Sequence, residues 1–431
     1  MASFKIKSTS SIFLTVLGSG LGNVVEWYSF LAYAYLTPVL SKLFFPDVSE
    51  KKSIIYVFLI FAIGFLARPF GAIFFGYLGD KVGRRKTLII SQLLMAIPSL
   101  IICFIPTHEQ IGFSAAIILS ILRFVQGFSI AGEYTTSLCY ISEMSPKKRR
   151  GLYTSTVPSS TAIGILISSF ITLGIIHYFE KNNTLYTYGW RVSFFIGFVL
   201  NTLVIFIRLM LKESSVYTNQ KKELGKISFK KFLSLLAKKE VIKLITVVVL
   251  LVVAYAYFYQ LIYIWNPTFL ESYLKKSNDF SLAVNGFSMI VFSIFILIGG
   301  FISDYIGRKK VIIYSSIFMI LVFGPLFYLL ANMNEVMFIY LYMFILSISF
   351  GLYVGASSSL FAEIFDTKIR ATALSLAYNI PYAIVGGLTP ALLSTVLFQG
   401  NYLFIILITM LIMLVAFITS IYLKETYKKN L

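Results

Sequence analysis

Twelve long apolar runs alternate with short polar stretches along the chain, near residues 12–38, 54–79, 87–106, 111–142, 152–179, 191–211, 242–270, 282–303, 311–331, 335–362, 371–397 and 401–423. About 20 apolar residues carry a helix across a bilayer, so each run reads as a transmembrane helix, the longer ones tilted or projecting. Hydrocarbon offers no partner for backbone groups, which leaves helices as the spanning element. The pattern therefore predicts an all-α membrane protein with twelve transmembrane helices. With both termini in the cytoplasm, 27 of the 37 Lys and Arg fall in cytoplasmic segments and 7 outside, leaving Arg68, Arg123 and Arg208 within or at the ends of spans. The opposite orientation inverts that ratio, so the positive-inside rule gives an N-in/C-in topology.

The polar stretches repeat. Gly76-Tyr-Leu-Gly-Asp80-Lys-Val-Gly83-Arg84-Arg85-Lys86 recurs as Gly300-Phe-Ile-Ser-Asp304-Tyr-Ile-Gly307-Arg308-Lys309-Lys310, 224 positions later at the aspartate. A turn with one carboxylate and three cations cannot lie in hydrocarbon, so each copy marks an aqueous loop, with the aspartate and arginine free to bridge to a neighbouring helix. After the fourth run stands Glu143, seven residues before Arg150, and after the tenth stands Glu363, seven residues before Arg370. Leu211-Lys-Glu213-Ser214 ends the first half and Leu423-Lys-Glu425-Thr426 the second. Such echoes are the layout of transporters built from two homologous halves with a site between them. The expected division is a first six-helix bundle over 1–211, a linker over 212–241 and a second six-helix bundle over 242–431. In the linker Lys221, Lys222, Lys226, Lys230, Lys231, Lys238 and Lys239 interleave with Phe229, Phe232, Leu233, Leu235 and Leu236, a pattern for an amphipathic helix on the inner membrane face.

Composition agrees: 58% of residues are hydrophobic and 13% charged, against about a quarter charged in soluble domains. The net charge of +19 does not imply nucleic acid, because the cations sit in the short loops between spans. Cys103 and Cys139 lie in apolar runs without zinc or redox spacing. No phosphate-binding G-x-x-x-x-G-K-[ST] loop is present, so ATP is not the expected energy source. No metal cluster or nucleophile–base array stands out; neither an enzyme nor a cofactor is expected.

Ionisable groups inside spans are costly and mark function by default. Glu26 lies roughly 21 Å from the cytoplasmic end of its span and Arg123 roughly 16–18 Å from the outer end of its own, both in the middle third. They are the expected coupling pair. Glu133, ten residues past Arg123, is a second carboxylate about 15 Å nearer the cytoplasm, suited to relay a proton or to pair with a basic loop end. Tyr28 and Gln126 flank these groups. Tyr255, Tyr259 and Tyr263 share one helical face, where Tyr255 and Tyr259 read as a cavity wall able to hold an ammonium group and Trp265 as part of the interfacial belt. Asn379, with Pro381 and Pro390, lies in a kink-prone eleventh span. His108 and His177 read as solvated loop residues.

The repeated loop resembles the signature of the major facilitator superfamily. Gly22-Asn23-x-x-Glu26-Trp27-Tyr28, Phe44-Phe45-Pro46, Arg68-Pro69-x-Gly71, Arg123-x-x-Gln126-Gly127, Gly132-Glu133-Tyr134 and Gly386-Gly387-x-Thr389-Pro390 narrow the likeness to its metabolite:H+ symporter family. The resemblance implies a multi-pass protein of the bacterial inner membrane, monomeric, taking up a small polar metabolite with protons by alternating access. Ser29 stands where that family usually has Asp, and Ala131 where it usually has Gly; Glu26 remains the main carboxylate of the first span, and the coupling ion, proton or sodium, stays open. A zwitterion such as proline or betaine suits the scarcity of cavity cations. The alternatives are an organic-acid symporter and a transport-inactive sensor.

Overall fold

The computed structural model describes residues 9–224, 234–333 and 335–429. The centre of the expected amphipathic linker helix, 225–233, lies outside them. Twelve long helices follow one another: α1 (Thr9–Tyr35), α2 (Glu50–Lys81), α3 (Arg84–Phe104), α4 (Ser114–Met144), α5 (Arg150–Lys181), α6 (Trp190–Leu209), α7 (Lys239–Tyr259), α8 (Asn278–Ile306), α9 (Arg308–Asn332), α10 (Val336–Glu363), α11 (Arg370–Phe398) and α12 (Tyr402–Ile421). The seventh continues through a π-helical turn, Gln260–Trp265, into Asn266–Ser272. Short helices cover Thr37–Phe44 and Ser215–Leu224.

Helices α2 to α12 provide eleven segments long and apolar enough to cross a membrane. Helix α1 has 27 residues but carries Asn23, Glu26 and Ser29. Those polar groups face protein: Asn23 donates to Val157 O (2.7 Å) and Thr161 Oγ1 (2.6 Å) of α5, and Asn201 of α6 donates to Ser29 Oγ at 2.8 Å. The outer surface is the inverse of a soluble protein's, with Leu66, Phe104, Phe170 and Leu407 each more than 60% exposed. Side chains of that size turned outward require lipid around them.

The two halves meet along α2 with α11 and α5 with α8. Contact is tight at the cytoplasmic end. A Cβ on Gly76 would stand 2.7 Å from Thr372 Cα, and one on Gly151 2.4 Å from Gly300 O, so only glycine lets these helices touch. Toward the outside the halves part. A cavity of about 640 Å³ opens between α2 and α11, and one of about 530 Å³ between α5 and α8. The molecule is closed to the cytoplasm.

Two expectations change. Trp265 is 1% exposed and its Nε1 donates to Ser394 Oγ at 3.1 Å, so it braces the interior of the second half rather than the lipid interface. His108 is not a free loop residue, since its Nε2 lies 2.9 Å from Asp47 Oδ2.

Candidate functional site

The repeated loops build two matching ladders at the cytoplasmic seam. Asp80 ends α2 and accepts from the first backbone N–H groups of α11, Ala371 (3.0 Å) and Thr372 (2.9 Å), and from the Thr372 hydroxyl (2.8 Å). Asp304 ends α8 and accepts from Gly151 (2.8 Å) and Leu152 (2.9 Å) at the start of α5. Each carboxylate thus caps a helix of the opposite half, where free N–H groups and the helix dipole favour an anion. Arg84 stands 3.2 Å from Asp80 and 3.0 Å from Glu143; Arg308 stands 2.8 Å from Asp304 and 3.3 Å from Glu363. Arg370 crosses the seam to Glu143 at 2.7 Å, and Arg150 crosses it to Glu363 at 3.1 Å.

The closing echoes complete each ladder. Glu213 accepts from the backbone N–H groups of Arg84 and Arg85 at 3.0 and 3.2 Å, as Glu425 does from Arg308 and Lys309. Ser214 Oγ donates to Glu143 at 2.5 Å and Thr426 Oγ1 to Glu363 at 2.6 Å. Gly83 and Gly307 sit at φ of 121° and 104°, values that side-chain-bearing residues rarely adopt, and so turn the chain from one helix into the next. Arg85 Nε reaches Arg208 O at 3.1 Å, tying the loop to α6.

Deeper in, six tyrosines gather where the halves face each other. Tyr134 of α4 stacks on Tyr378 of α11 at 4.5 Å, and Tyr378 on Tyr382 at 5.4 Å. Tyr255 of α7 sets its edge to Tyr378 at 5.8 Å and brings its hydroxyl within 3.5 Å of Tyr134's. Tyr259 packs on Tyr263 at 5.4 Å, at the entry to the π-helical turn. Arg68 of α2 lays its guanidinium 4.7 Å from the Tyr382 ring centre and 5.7 Å from that of Phe65. Arg68 is 1% exposed and forms no ion pair among the described residues. Arg68 Nε, Glu26 Oε2, Trp27 Nε1, Tyr259 Oη and Asn379 Oδ1 are all buried without a hydrogen-bond partner among the described residues. The larger cavity is walled by Trp27, Phe65, Pro69, Tyr259, Gln260 and Tyr382, so it leads to this cluster.

The structure does not bring Glu26 and Arg123 together. Arg123 binds Gln126 Oε1 at 2.8 Å and lies over Phe30 (4.2 Å), Tyr33 (4.4 Å) and Phe61 (5.3 Å). Glu26 instead faces the charges of Glu133, Arg208 and Arg68. The reason is chain direction. Side chains lean toward the N-terminus of their own helix. Helices α1 and α4 run oppositely, so at equal depth Glu26 leans toward the cytoplasm and Arg123 toward the outside. Glu133 finds its partner in Arg208 at the end of α6, with Nη1 2.8 Å from Oε2 and Nη2 on Oε1.

Other expected site residues serve the first half's interior. Tyr28 donates to Ser193 O at 3.0 Å, and Gln126 to Ser99 Oγ at 3.0 Å. Asn379 binds across the seam to Ala131 O at 3.1 Å, beneath the tyrosines. Sequence reasoning gave no site role to Tyr378, Tyr382 or Gln260; the four-residue spacing of Tyr378 and Tyr382, one helical face on a span with Asn379, was the available signal.

The model of the family described as sugar (and other) transporter matches residues 15–431. The proline/betaine transporter of Escherichia coli strain K12 is 30% identical over 96% of this chain and 84% of its own length. The glycine betaine/proline/ectoine/pipecolic acid transporter of Dickeya dadantii is 28% identical over 96% of this chain and 84% of its own. A solved structure of the proton:xylose symporter XylE of the major facilitator superfamily, bound to 6-bromo-6-deoxy-D-glucose, superposes with a TM-score of 0.78 at 19% identity, over 98% of both chains. By sequence over nearly its whole length and by its two six-helix bundles, the chain belongs to the sugar (and other) transporter family of the major facilitator superfamily and is a multi-pass protein of the bacterial inner membrane.

Proposed function

We propose that the chain is a proton-coupled symporter that takes up a small zwitterion, proline or glycine betaine, by alternating access. The observation that carries this reading is Arg68: a buried guanidinium with no ion pair among the described residues, set against a wall of tyrosines between the two halves. A zwitterion fits both parts. Its carboxylate takes the N–H groups of Arg68, and its substituted nitrogen lies on the ring faces of Tyr134, Tyr255, Tyr378, Tyr382 and Tyr259 by cation–π attraction. The names of the curated relatives support proline and betaine as the substrates.

Glu26 is the proton carrier in this reading. It is buried beside the site, and protonation removes a negative charge from the neighbourhood of Arg68 at the moment the substrate carboxylate needs that cation. Glu133 stays paired with Arg208. The ladders of Asp80, Arg84, Glu143 and Arg370, and of Asp304, Arg308, Glu363 and Arg150, hold the cytoplasmic side shut while the site faces outward; Gly76, Gly83, Gly307 and Arg85 shape the loops that place them. The bundles are 1–211 and 242–431, joined by 212–241. The path lies between the halves of one chain, which supports a monomer.

The test is uptake of labelled proline, glycine betaine and α-ketoglutarate into proteoliposomes under an imposed pH or sodium gradient. Accumulation of either zwitterion with a pH gradient alone is the expected result. Accumulation of α-ketoglutarate instead favours the organic-acid reading, and dependence on sodium overturns the proton.

A further inference from the structure

Arg208 is placed to serve two carboxylates. It is fully buried, and its Nη1 and Nη2 hold Glu133 while Nη1 also reaches Leu88 O (2.6 Å) and Gln92 Oε1 (2.8 Å) and Nε reaches Gly18 O (3.2 Å). The guanidinium occupies the space a side chain at Gly22 would fill, since a Cβ there would lie 1.7 Å from Arg208 Nη2 and 2.9 Å from Glu133 Oε1. Glu26 is the next residue on that face of α1. Cβ atoms four apart on a helix stand about 5–6 Å from each other, and a glutamate leans toward the helix N-terminus, here toward Gly22. The Glu26 carboxylate therefore hangs over the gap through which Arg208 enters.

The charged groups facing Glu26 are Glu133 from α4, Arg208 from α6 and Arg68 from α2. From α5, packed along the same helix, Ser160 and Thr161 bind Asn23. Of the two guanidiniums facing Glu26, Arg68 lies on the Tyr382 and Phe65 rings and Arg208 is bound to Glu133. Arg208 cannot pair fully with both carboxylates, so one of them carries a proton or lacks a direct ion pair. The hydrogen bonds decide which. Glu133 also accepts from Ser91 Oγ (2.9 Å) and Ser137 Oγ (3.2 Å), whereas Glu26 Oε2 has no hydrogen-bond partner among the described residues.

We infer that Arg208 is a positioning residue for proton coupling: it stays on Glu133 while Glu26 is protonated and shifts through the Gly22 gap to Glu26 when that proton leaves. This deepens the symport reading above and rests on it. The proton passes from the Glu26 carboxyl to water on the cytoplasmic side, and the carboxylate left behind draws the guanidinium. Gln92 Nε2 donates to Asn201 Oδ1 at 2.5 Å, and Asn201 holds Ser29, so a move of Arg208 loosens the ties of α1 to α3 and α6 together. Loss of the proton is thereby felt as a change in packing of the helix that carries Glu26.

The experiment reads protonation directly and needs no transport. Infrared spectra of the purified, lipid-reconstituted chain are recorded against pH, and the carboxylic C=O band of Glu26 is identified by its loss in Glu26→Gln. In Glu133→Gln the guanidinium is released to Glu26, so the band should disappear at least about one pH unit lower than in wild type, a tenfold fall in proton affinity. Arg208→Gln should move it the opposite way, and Arg208→Lys, which keeps the charge, should stay between the two. A Glu26 band that titrates identically in wild type, Glu133→Gln and Arg208→Gln overturns the inference. Failure of the symport reading shows separately, as absence of proton-driven uptake by wild type.

Discussion

Asp80 and Thr372 lie 292 residues apart in the chain and join its two halves, the aspartate accepting both the backbone N–H and the hydroxyl of the threonine. Its counterpart Asp304 accepts two backbone N–H groups and, among the described residues, no hydroxyl across the seam. Hydrogen bonds to a charged group contribute about 1.5–3 kcal/mol. Asp80→Asn should therefore shift the balance between cytoplasm-closed and cytoplasm-open forms by about 10- to 100-fold, and Asp304→Asn by less. Ser375, buried at the seam, reports it: a cysteine there should react with a cytoplasmic thiol reagent much faster in the Asp80→Asn background. Equal reaction rates in the two backgrounds would remove the gating role.

The capping glutamates make a separate prediction about stability. Glu213 supplies acceptors to the first N–H groups of α3 and Glu425 to those of α9. Loss of a helix cap costs about 0.5–2 kcal/mol. Glu213→Ala and Glu425→Ala should each lower the thermal unfolding midpoint in detergent, while Glu213→Gln, which keeps one acceptor, should lower it less.

The spans, the orientation and the seam were legible because each depends on a pattern along one dimension. Apolar run length fixes a span, and the Glu-to-Arg interval survives from one half to the other. What failed was pairing across helices. Glu26 and Arg123 have matching depth, but depth omits the lean of side chains toward their own N-termini, which parts them in antiparallel α1 and α4. Arg208 reads in sequence as a cation at a helix end; its burial comes from Gly22 on α1, whose missing side chain makes room for it, while Gly18 O accepts from its Nε. The tyrosine cluster draws on α4, α7 and α11, and no local signal says that these three faces converge.

Arg68 and Tyr382 predict how substrate is held. Tyr382→Phe keeps the ring face under the guanidinium and should leave KM within about threefold of wild type, whereas Tyr382→Ala removes a contact of about 0.5–2 kcal/mol and should raise KM about 2- to 30-fold. Arg68→Ala should abolish saturable uptake, and Arg68→Lys should restore part of it, because a point charge replaces a planar fork. Counterflow exchange of labelled substrate measures these without a proton gradient. Normal KM in Arg68→Ala would place the substrate carboxylate elsewhere, with Arg123 and its unpartnered Nε and Nη2 the next group to test.

The last prediction separates two of the buried arginines of the first half, Arg208 and Arg123. Arg208 and Glu133 form a buried ion pair, and removing one partner of such a pair costs about 3–5 kcal/mol because the other charge is stranded. Arg123 pairs with no carboxylate among the described residues; aromatic faces and Gln126 hold it. A double-mutant cycle for Glu133→Gln and Arg208→Gln should therefore be strongly non-additive, with the double variant more stable than the sum of the singles by about 1–3 kcal/mol. The same cycle for Glu26→Gln and Arg123→Gln should be additive to within about 0.5 kcal/mol. Unfolding of the purified protein measures both in one series. Strong coupling in the second cycle would mean that Glu26 and Arg123 pair in a state other than the cytoplasm-closed one, and additivity in the first would contradict the ion pair on which α1, α3, α4 and α6 converge.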